Sequence, residues 1–241
     1  MNSDGLELKE LKDELDKTLS GNIIQSSGGK KRAVKANLTK DVFSKIINYC
    51  IKETSSNYKL INKKSELPTE IKKRLPKLLV SEEYKKHKKV EFKQHQIKEK
   101  GVDYDAFIIE KDELKMLIEY KSYTETSMLR RVLFDAWIAK DYGLEAKYCL
   151  CMLETSMGFK KRGEKKSELD ISYQSHAFRD FMIKHHDVDI DILILLDDQR
   201  KSKEDIAEEK YRKKIPIEKL KLIINYFKEF LKKGETQTQA N

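Results

Sequence analysis

The segment DYDAFIIEKDELKMLIEYKSY, residues 103–123, constrains the fold of this chain more than any other stretch. Two apolar runs flank the polar turn KDEL, a pattern typical of two antiparallel strands in a hairpin. Because residues two apart in a strand share a face, Glu119 and Lys121 point the same way at the end of the second run. Asp105 opens the first run at the same end of the hairpin. We therefore expect the Asp105 and Glu119 side chains to meet across the ladder, about 5 Å apart.

Hydrophobic periodicity predicts further helices and strands on both sides of this hairpin. Helical spacing of apolar residues predicts helices over 8–19, 38–53, 66–80 (interrupted at Pro76), 124–142 (ending at Gly143), 173–186 and 203–233 (broken at Pro216). Alternating or continuous apolar runs predict strands over 89–98, 105–110, 115–122, 146–153 and 189–198. The Gly- and Ser-rich residues 20–37 are typical of a loop.

The resulting element order is α-β-β-β-α-β, followed by a further helix and strand and by terminal helices. It predicts an α/β chain (α+β mixed sheet) in which residues 89–98, 105–110 and 115–122 form three consecutive antiparallel strands. The last strand, residues 189–198, is almost continuously apolar, and such a run is expected in the middle of a covered sheet.

The length of 241 residues suits one elaborated domain. We expect an N-terminal helix and linker over 1–37, a core domain over 38–200, and a C-terminal helical extension over 201–241 that packs on the core. The N-terminal residues are acidic and polar, so we expect no signal peptide, and no apolar run approaches the about 20 residues that span a bilayer. We therefore expect a cytoplasmic protein with no membrane partner.

The charge balance favours a polyanionic partner. Fifty Lys and Arg residues against 41 Asp and Glu residues give a net charge of +9, and such an excess is typical of proteins that bind nucleic acid. The alternative is a set of lysine-rich helix faces that contact only water. The charge alone does not decide between these two interpretations.

Motifs of several other enzyme classes are absent. The sequence contains no P-loop, no dinucleotide-binding glycine fingerprint and no GxSxG nucleophile turn. Its three cysteines have no disulfide-framework spacing. Cys149 and Cys151 alternate within a predicted strand, so we expect them to be small apolar residues on one face rather than zinc ligands.

Burial and mutual repulsion disfavour the charged forms of the two carboxylates predicted to meet at the end of the hairpin, so either one stays protonated or a cation neutralises them. Carboxylate oxygens and a backbone carbonyl suit Mg²⁺, which also keeps several waters. The carbonyl of Tyr120 lies between Glu119 and Lys121. Lys121 can hydrogen-bond a water and stabilise charge on an attacked phosphate. The arrangement predicts phosphodiester hydrolysis; the alternative is an ordinary solvent-facing Glu–Lys pair at a strand end.

Residues 38–153 resemble the PD-(D/E)xK nuclease superfamily, whose restriction-endonuclease-like core is α-β-β-β-α-β. GVDYDAFII is similar to the segment in which an Asp opens the second strand of that core, and MLIEYKS is similar to the (D/E)xK segment that closes the third. The resemblance implies that Asp105 and Glu119 bind Mg²⁺, with Mn²⁺ as a substitute. It also implies that Lys121 activates the attacking water.

The resemblance leaves two assignments open. Asp103 competes with Asp105 for the metal, and Asp105 is preferred because the apolar run starts directly after it. Many members of the superfamily also supply a Glu from the first helix. The candidates for that role are Glu66, Glu70 and Glu83.

The resemblance and the basic charge together predict a Mg²⁺-dependent endodeoxyribonuclease that cleaves double-stranded DNA. The specific expectation is a type II restriction endonuclease, working as a homodimer with one site per strand. The alternatives are a repair or recombination nuclease similar to a junction resolvase, and a DNA-binding protein without catalysis. The residues expected to contact DNA phosphates are Arg130, Arg131, Lys160, Lys161 and Arg162.

Overall fold

The hairpin over residues 103–123 is present in the computed structural model of the protein. Strand β4 (Ala106–Glu110) and strand β5 (Glu113–Lys121) pair antiparallel across a two-residue turn. Lys111, the first turn residue, has φ 55, the left-handed conformation that such a tight turn requires. Ala106 pairs with Ile118. Strand β5 therefore continues past the first paired residue of β4, and this overhang carries Glu119 and Lys121.

The structure describes residues 3–21, 28–54, 57–81, 97–122, 126–154, 173–196 and 214–238. Its helices are α1 (Ser3–Gly21), α2 (Gly28–Thr54), α3 (Thr69–Arg74), α4 (Thr126–Asp141), α5 (Tyr173–His186) and α6 (Ile217–Thr238), with a 3₁₀ turn at Lys64–Glu66. Its other strands are β1 (Tyr58–Ile61), β2 (Lys77–Ser81), β3 (Ile97–Gly101), β6 (Lys147–Met152) and β7 (Asp191–Ile194). None of the described helices is long and apolar enough to cross a membrane.

A mixed sheet in the order β1-β4-β5-β6-β7 forms the centre of the described chain, and β2 and β3 form a separate antiparallel pair. Strands β1, β4 and β5 are antiparallel neighbours, whereas β6 and β7 run parallel to β5. Parallel neighbours need a crossover connection. Helix α4 lies in the connection between β5 and β6, and α5 lies in that between β6 and β7. The fold is thus α/β with a mixed sheet, as the sequence predicts.

Helices cover both faces of the central sheet. Helices α1, α2 and α6 pack on one face, here called the α2 face, together with Ile118 and Tyr120 of β5. Helices α3, α4 and α5 pack on the other, the α4 face, together with Leu117. Because side chains alternate along a strand, Glu119 and Lys121 belong to the α4 face. The tertiary structure therefore places both polar side chains where β5 meets the α4 layer.

Several predicted elements are confirmed. Helices α1, α4 and α5 and strand β6 lie where the periodicity places them. Gly143 ends α4 with φ 74, and α6 begins directly after Pro216. Cys149 and Cys151 share the α2 face, are buried, and have sulfur atoms 3.7 Å apart. Residues 203–213 of the predicted tail helix lie outside the described residues.

The predicted first strand of the core sheet is wrong. The edge neighbour of β4 is β1, Tyr58–Ile61, and not residues 89–98. Of that range, 89–96 lie outside the described residues, and Ile97 begins β3, which pairs with β2. Alternating polarity predicts a strand but contains no information about its neighbour, which is chosen by contacts distant in sequence.

The predicted helix over 66–80 and loop over 20–37 are each wrong in part. Helix α3 ends at Arg74 because Pro76 cannot continue it, and the residue before a proline is pushed to extended backbone. Leu75 accordingly has φ −64 and ψ 139, and β2 follows. Helix α2 begins at Gly28, so residues 28–37 are helical. Adding residues to an existing helix is much easier than nucleating one, and this outweighs the poor propensity of two glycines.

Strand β7 lies at the edge of the described sheet, not in its middle as predicted. Its apolar run is explained by helices on both faces. Leu193 packs in the α2 face, and Ile192 and Ile194 pack in the α4 face. Parallel strands covered on both sides are apolar throughout, wherever they lie in the sheet order.

Candidate active site

The structure brings Asp105, Glu119 and Lys121 together at the end of the hairpin. The Nζ atom of Lys121 contacts Oε1 of Glu119 and lies 3.6 Å from Oδ2 of Asp105. The two carboxylates come from neighbouring strands, and one ammonium group binds both. This arrangement is what the alternation and the hairpin register predict; the catalytic roles of the three residues remain predictions.

Asp105 is held by the backbone of β5. Its N–H donates to the carbonyl of Ile118 at 3.1 Å, and its Oδ2 accepts from the N–H of Tyr120 at 2.8 Å. The side-chain oxygen thus accepts a hydrogen bond that a main-chain carbonyl would otherwise accept, just before the paired part of β4 begins. The first bond fixes the backbone of Asp105, and the second, together with Lys121, orients its carboxylate.

Glu119 is buried deeply for a charged side chain, with only 4% exposed. Burial raises its pKa from 4.5 to about 7; Lys121 opposes this effect, whereas Asp105 and Asp135 add to it. A carboxyl group in this environment needs a nearby cation to remain ionised at neutral pH. Lys121 is the cation that the protein itself provides.

The donor set fits a hard divalent cation. In a strand, the N–H and C=O of one residue leave the same edge, so the Tyr120 carbonyl is on the edge whose N–H reaches Asp105. Within the described ranges, no group of three His, Cys, Asp or Glu side chains is arranged to hold a metal. Two carboxylates and a carbonyl therefore have to be completed by water or substrate oxygens, as is usual for Mg²⁺.

Asp135 is an acid near the site that the sequence interpretation missed. It lies on α4 with 13% of its side chain exposed, 3.7 Å from Nε of Arg131. Burial raises the pKa of Asp135, while Arg131 and Lys121 lower it. The sequence signal that could have identified Asp135 is an acid placed between Val132 and Ala136, two apolar positions of a predicted helix. A further buried acid, Glu154, lies two residues after the end of β6.

The other candidates for the metal do not join this cluster. Asp103 is exposed. Glu66 and Glu70 are exposed and pair with lysines one helical turn away, at 3.4 and 2.9 Å. Glu83 lies outside the described residues. The structure therefore favours Asp105 over Asp103 as the acid that faces Glu119.

The structure describes two of the five residues that are expected to contact DNA. Arg130 and Arg131 are exposed on the first half of α4, which follows β5 in the chain. Lys160, Lys161 and Arg162 lie outside the described residues. The structure thus places two of the five basic side chains on the element that leads away from the carboxylate pair.

The chain is similar to a known restriction enzyme. It is 28% identical over 131 residues to the type II restriction enzyme DdeI of Desulfomicrobium norvegicum, a match covering 54% of this chain and 53% of that enzyme. The chain therefore spans about half the length of the curated relative it matches. No protein-family profile and no solved structure matches the chain.

Proposed function

We propose that this chain is a Mg²⁺-dependent endodeoxyribonuclease of the type II restriction kind, which hydrolyses phosphodiester bonds in double-stranded DNA. The observation that carries the proposal is the contact of two carboxylates from neighbouring strands, Asp105 and Glu119, with the single ammonium group of Lys121. The likeness to a type II restriction enzyme supports DNA as the substrate. The net charge of +9 suits a polyanion.

Each residue of the cluster has a separate role. Asp105, Glu119 and the Tyr120 carbonyl hold Mg²⁺, or Mn²⁺ as a substitute. The bound cation neutralises negative charge at the carboxylates and at the phosphate. Lys121 donates a hydrogen bond from Nζ to the attacking water and stabilises charge that develops on the phosphoryl oxygens. These are the roles that the resemblance to the PD-(D/E)xK superfamily implies.

The proposal includes DNA contacts, a homodimer and a cytoplasmic location. Arg130 and Arg131 bind phosphates beside the site, and Lys160, Lys161 and Arg162 bind further phosphates. Two copies place one site on each strand. Leu11, Leu15 and Leu19 of α1 are buried within their own chain, so we do not assign the dimer interface to these side chains.

A plasmid-cleavage assay in Mg²⁺ and in EDTA tests the proposal, with binding to the same DNA measured separately. The wild-type protein should cut only with the cation. Lys121→Ala should slow cutting by about 10²–10⁴-fold, the usual contribution of a positioned proton-transfer group, and should leave DNA binding nearly unchanged.

Lys115→Ala is the matched control. Lys115 lies on the same strand, pairs with Glu113 at 2.5 Å, and has a similarly part-exposed side chain. It lies at the other end of β5, so its loss should not change cutting. Wild-type cleavage by Lys121→Ala would contradict the assigned chemistry. DNA binding without any Mg²⁺-dependent cutting would indicate the non-catalytic alternative.

A further inference from the structure

Lys63 follows β1 at the end of the sheet that carries Asp105 and Glu119. Strand β1 runs antiparallel to β4, and its last residue, Ile61, pairs with Phe107. Continuing this register by two residues brings Lys63 opposite Asp105. Lys63 has φ −139 and ψ 127, which is extended backbone, so the alternation of the strand continues through it. Ile61 and Phe107 pack on the α4 face, and Lys63 and Asp105 therefore belong to that face as well.

Two lysine contacts hold the backbone on either side of Lys63. The Nζ atom of Lys40, on α2, donates to the carbonyl of Asn62 at 2.8 Å. The Nζ atom of Lys64 donates to the carbonyl of Val102 at 3.3 Å. Asn62 and Lys64 are the residues directly before and after Lys63. The turn after β1 is thus tied both to α2 and to the segment that leads into β4, and these ties fix where the Lys63 side chain starts.

The turn after β1 carries accessible positive charge. The Lys63 side chain is 71% exposed and contacts Glu66 at 3.4 Å. An exposed ion pair of this kind contributes little to stability, so Lys63 can exchange Glu66 for another anion at small cost. Lys40 and Lys64 donate to neutral carbonyl oxygens and so keep their positive charge. Of the three ammonium groups at this end of β1, Glu66 therefore balances one.

This turn and helix α4 lie on opposite sides of the two acids. In the order of the sheet, β1 comes before β4 and β5, at whose ends Asp105 and Glu119 lie. Helix α4, with Arg130 and Arg131, connects β5 to β6 on the other side. A DNA strand that places one phosphate at the acids carries further phosphates on both sides of it. Lys63 is thus placed to meet a phosphate on the β1 side.

We infer that Lys63 binds a backbone phosphate of the DNA strand that lies over Asp105 and Glu119, and that Lys40 and Lys64 hold the turn that presents it. This inference rests on the function proposed above. A contact between lysine and phosphate fixes the position of the strand without reading its sequence. Lys63 therefore contributes to affinity for DNA of any sequence and takes no part in the hydrolytic step.

Lys63→Gln tests the inference through the salt dependence of DNA binding. A DNA duplex is titrated with the protein at a series of salt concentrations, in EDTA to remove the cation required for cutting. The slope of log binding constant against log salt should decrease in magnitude by about 0.9, the value of one lost phosphate contact. Lys63→Arg should keep the wild-type slope, because a guanidinium group also binds phosphate.

Cleavage kinetics in Mg²⁺ give a second measurement on the same variant. Lys63→Gln should raise KM for the duplex and leave kcat unchanged, because the lost contact is made equally before and during the chemical step. Its thermal unfolding should match that of the wild type, because the exposed pair with Glu66 contributes little to stability.

Lys59→Gln is the matched control. Lys59 is exposed on the same face of β1 and pairs in register with Ile109, about 13 Å from Lys63 at about 3.3 Å per residue. The control removes the same charge from the other end of the strand. Its salt slope and its KM should therefore stay at the wild-type values.

The outcomes distinguish this inference from the function on which it depends. A wild-type salt slope in Lys63→Gln would overturn the phosphate contact and leave the nuclease proposal in place. An equal decrease of the slope in Lys59→Gln would also overturn the contact, since the effect would then come from net charge alone. A wild-type protein with neither salt-dependent DNA binding nor Mg²⁺-dependent cutting would instead contradict the proposed function, and the Lys63 contact with it.

Discussion

Replacing Glu119 by glutamine should change how the stability of the protein depends on pH. Glu119 is buried, and burial raises its pKa from 4.5 to about 7 against the opposing effect of Lys121. Glutamine has nearly the same shape and does not titrate. In Glu119→Gln, Lys121 still has Asp105 at 3.6 Å, so the ammonium group keeps an anionic neighbour.

The magnitude follows from proton binding in the two states. Between pH 4.5 and about 7, the folded protein keeps a proton on Glu119 that the unfolded chain releases. Protons therefore favour the folded state, and the free energy of unfolding falls as the pH rises through this window. Each unit of pKa difference is worth about 1.4 kcal/mol. The rise of the Glu119 pKa from 4.5 to about 7 therefore changes the free energy of unfolding by roughly 3 kcal/mol at most.

Urea unfolding of the wild type and of Glu119→Gln from pH 4 to pH 8.5 in EDTA measures the effect. Relative to the wild type, the variant should gain roughly 3 kcal/mol between the acidic and the alkaline ends of the series. Asp103→Asn, at an exposed position, should follow the wild-type curve. Parallel curves for the wild type and Glu119→Gln would show that this carboxyl group is not desolvated, and the argument for its needing a cation would fail.

Two further variants test the fold and the DNA surface. Gly143→Ala should lower the free energy of unfolding in urea by about 1–2 kcal/mol, because Gly143 has φ 74, a left-handed backbone that alanine disfavours. An added Cβ would meet no atom within 4 Å, so steric clash does not contribute. An unchanged free energy of unfolding would mean that the residue does not need left-handed backbone. Arg130→Gln combined with Arg131→Gln should reduce the slope of log binding constant against log salt by about 2, at roughly 0.9 per phosphate contact. The control is Lys221→Gln on α6, where Lys221 pairs with Glu218 at 3.0 Å; this variant should keep the wild-type slope. An unchanged slope in the double arginine variant would exclude phosphate contacts by Arg130 and Arg131.

The hairpin and its polar end could be predicted because their signals are local. Alternation along KMLIEYKS assigns Glu119 and Lys121 to one face, and the short turn brings Asp105 to the same end. The helix ends at Gly143 and Pro216 were equally readable, since each depends on the backbone of one residue. These features require no knowledge of the rest of the chain.

Asp135 and the contact between Tyr104 and Tyr148 could not be found in this way. Asp135 comes close to the site because α4 crosses from β5 back to β6 over the same face of the sheet. Tyr104 and Tyr148 meet because β6 lies next to β5 in the sheet order. Nothing in the local pattern around Tyr148 distinguishes it from an ordinary aromatic residue of a buried strand.

The amino-acid sequence by itself determined the hydrophobic period of each segment, which side chains of β5 share a face, and which acids lie at the end of the hairpin. Each of these depends on neighbours only a few residues away. The tertiary structure alone decided that β1 borders β4, that β7 ends the described sheet, and that Glu119 is buried. The physical reason is the sequence separation of the contacts. Burial and strand order result from contacts between residues tens of positions apart, and the hydrophobic period of a single segment contains no information about them.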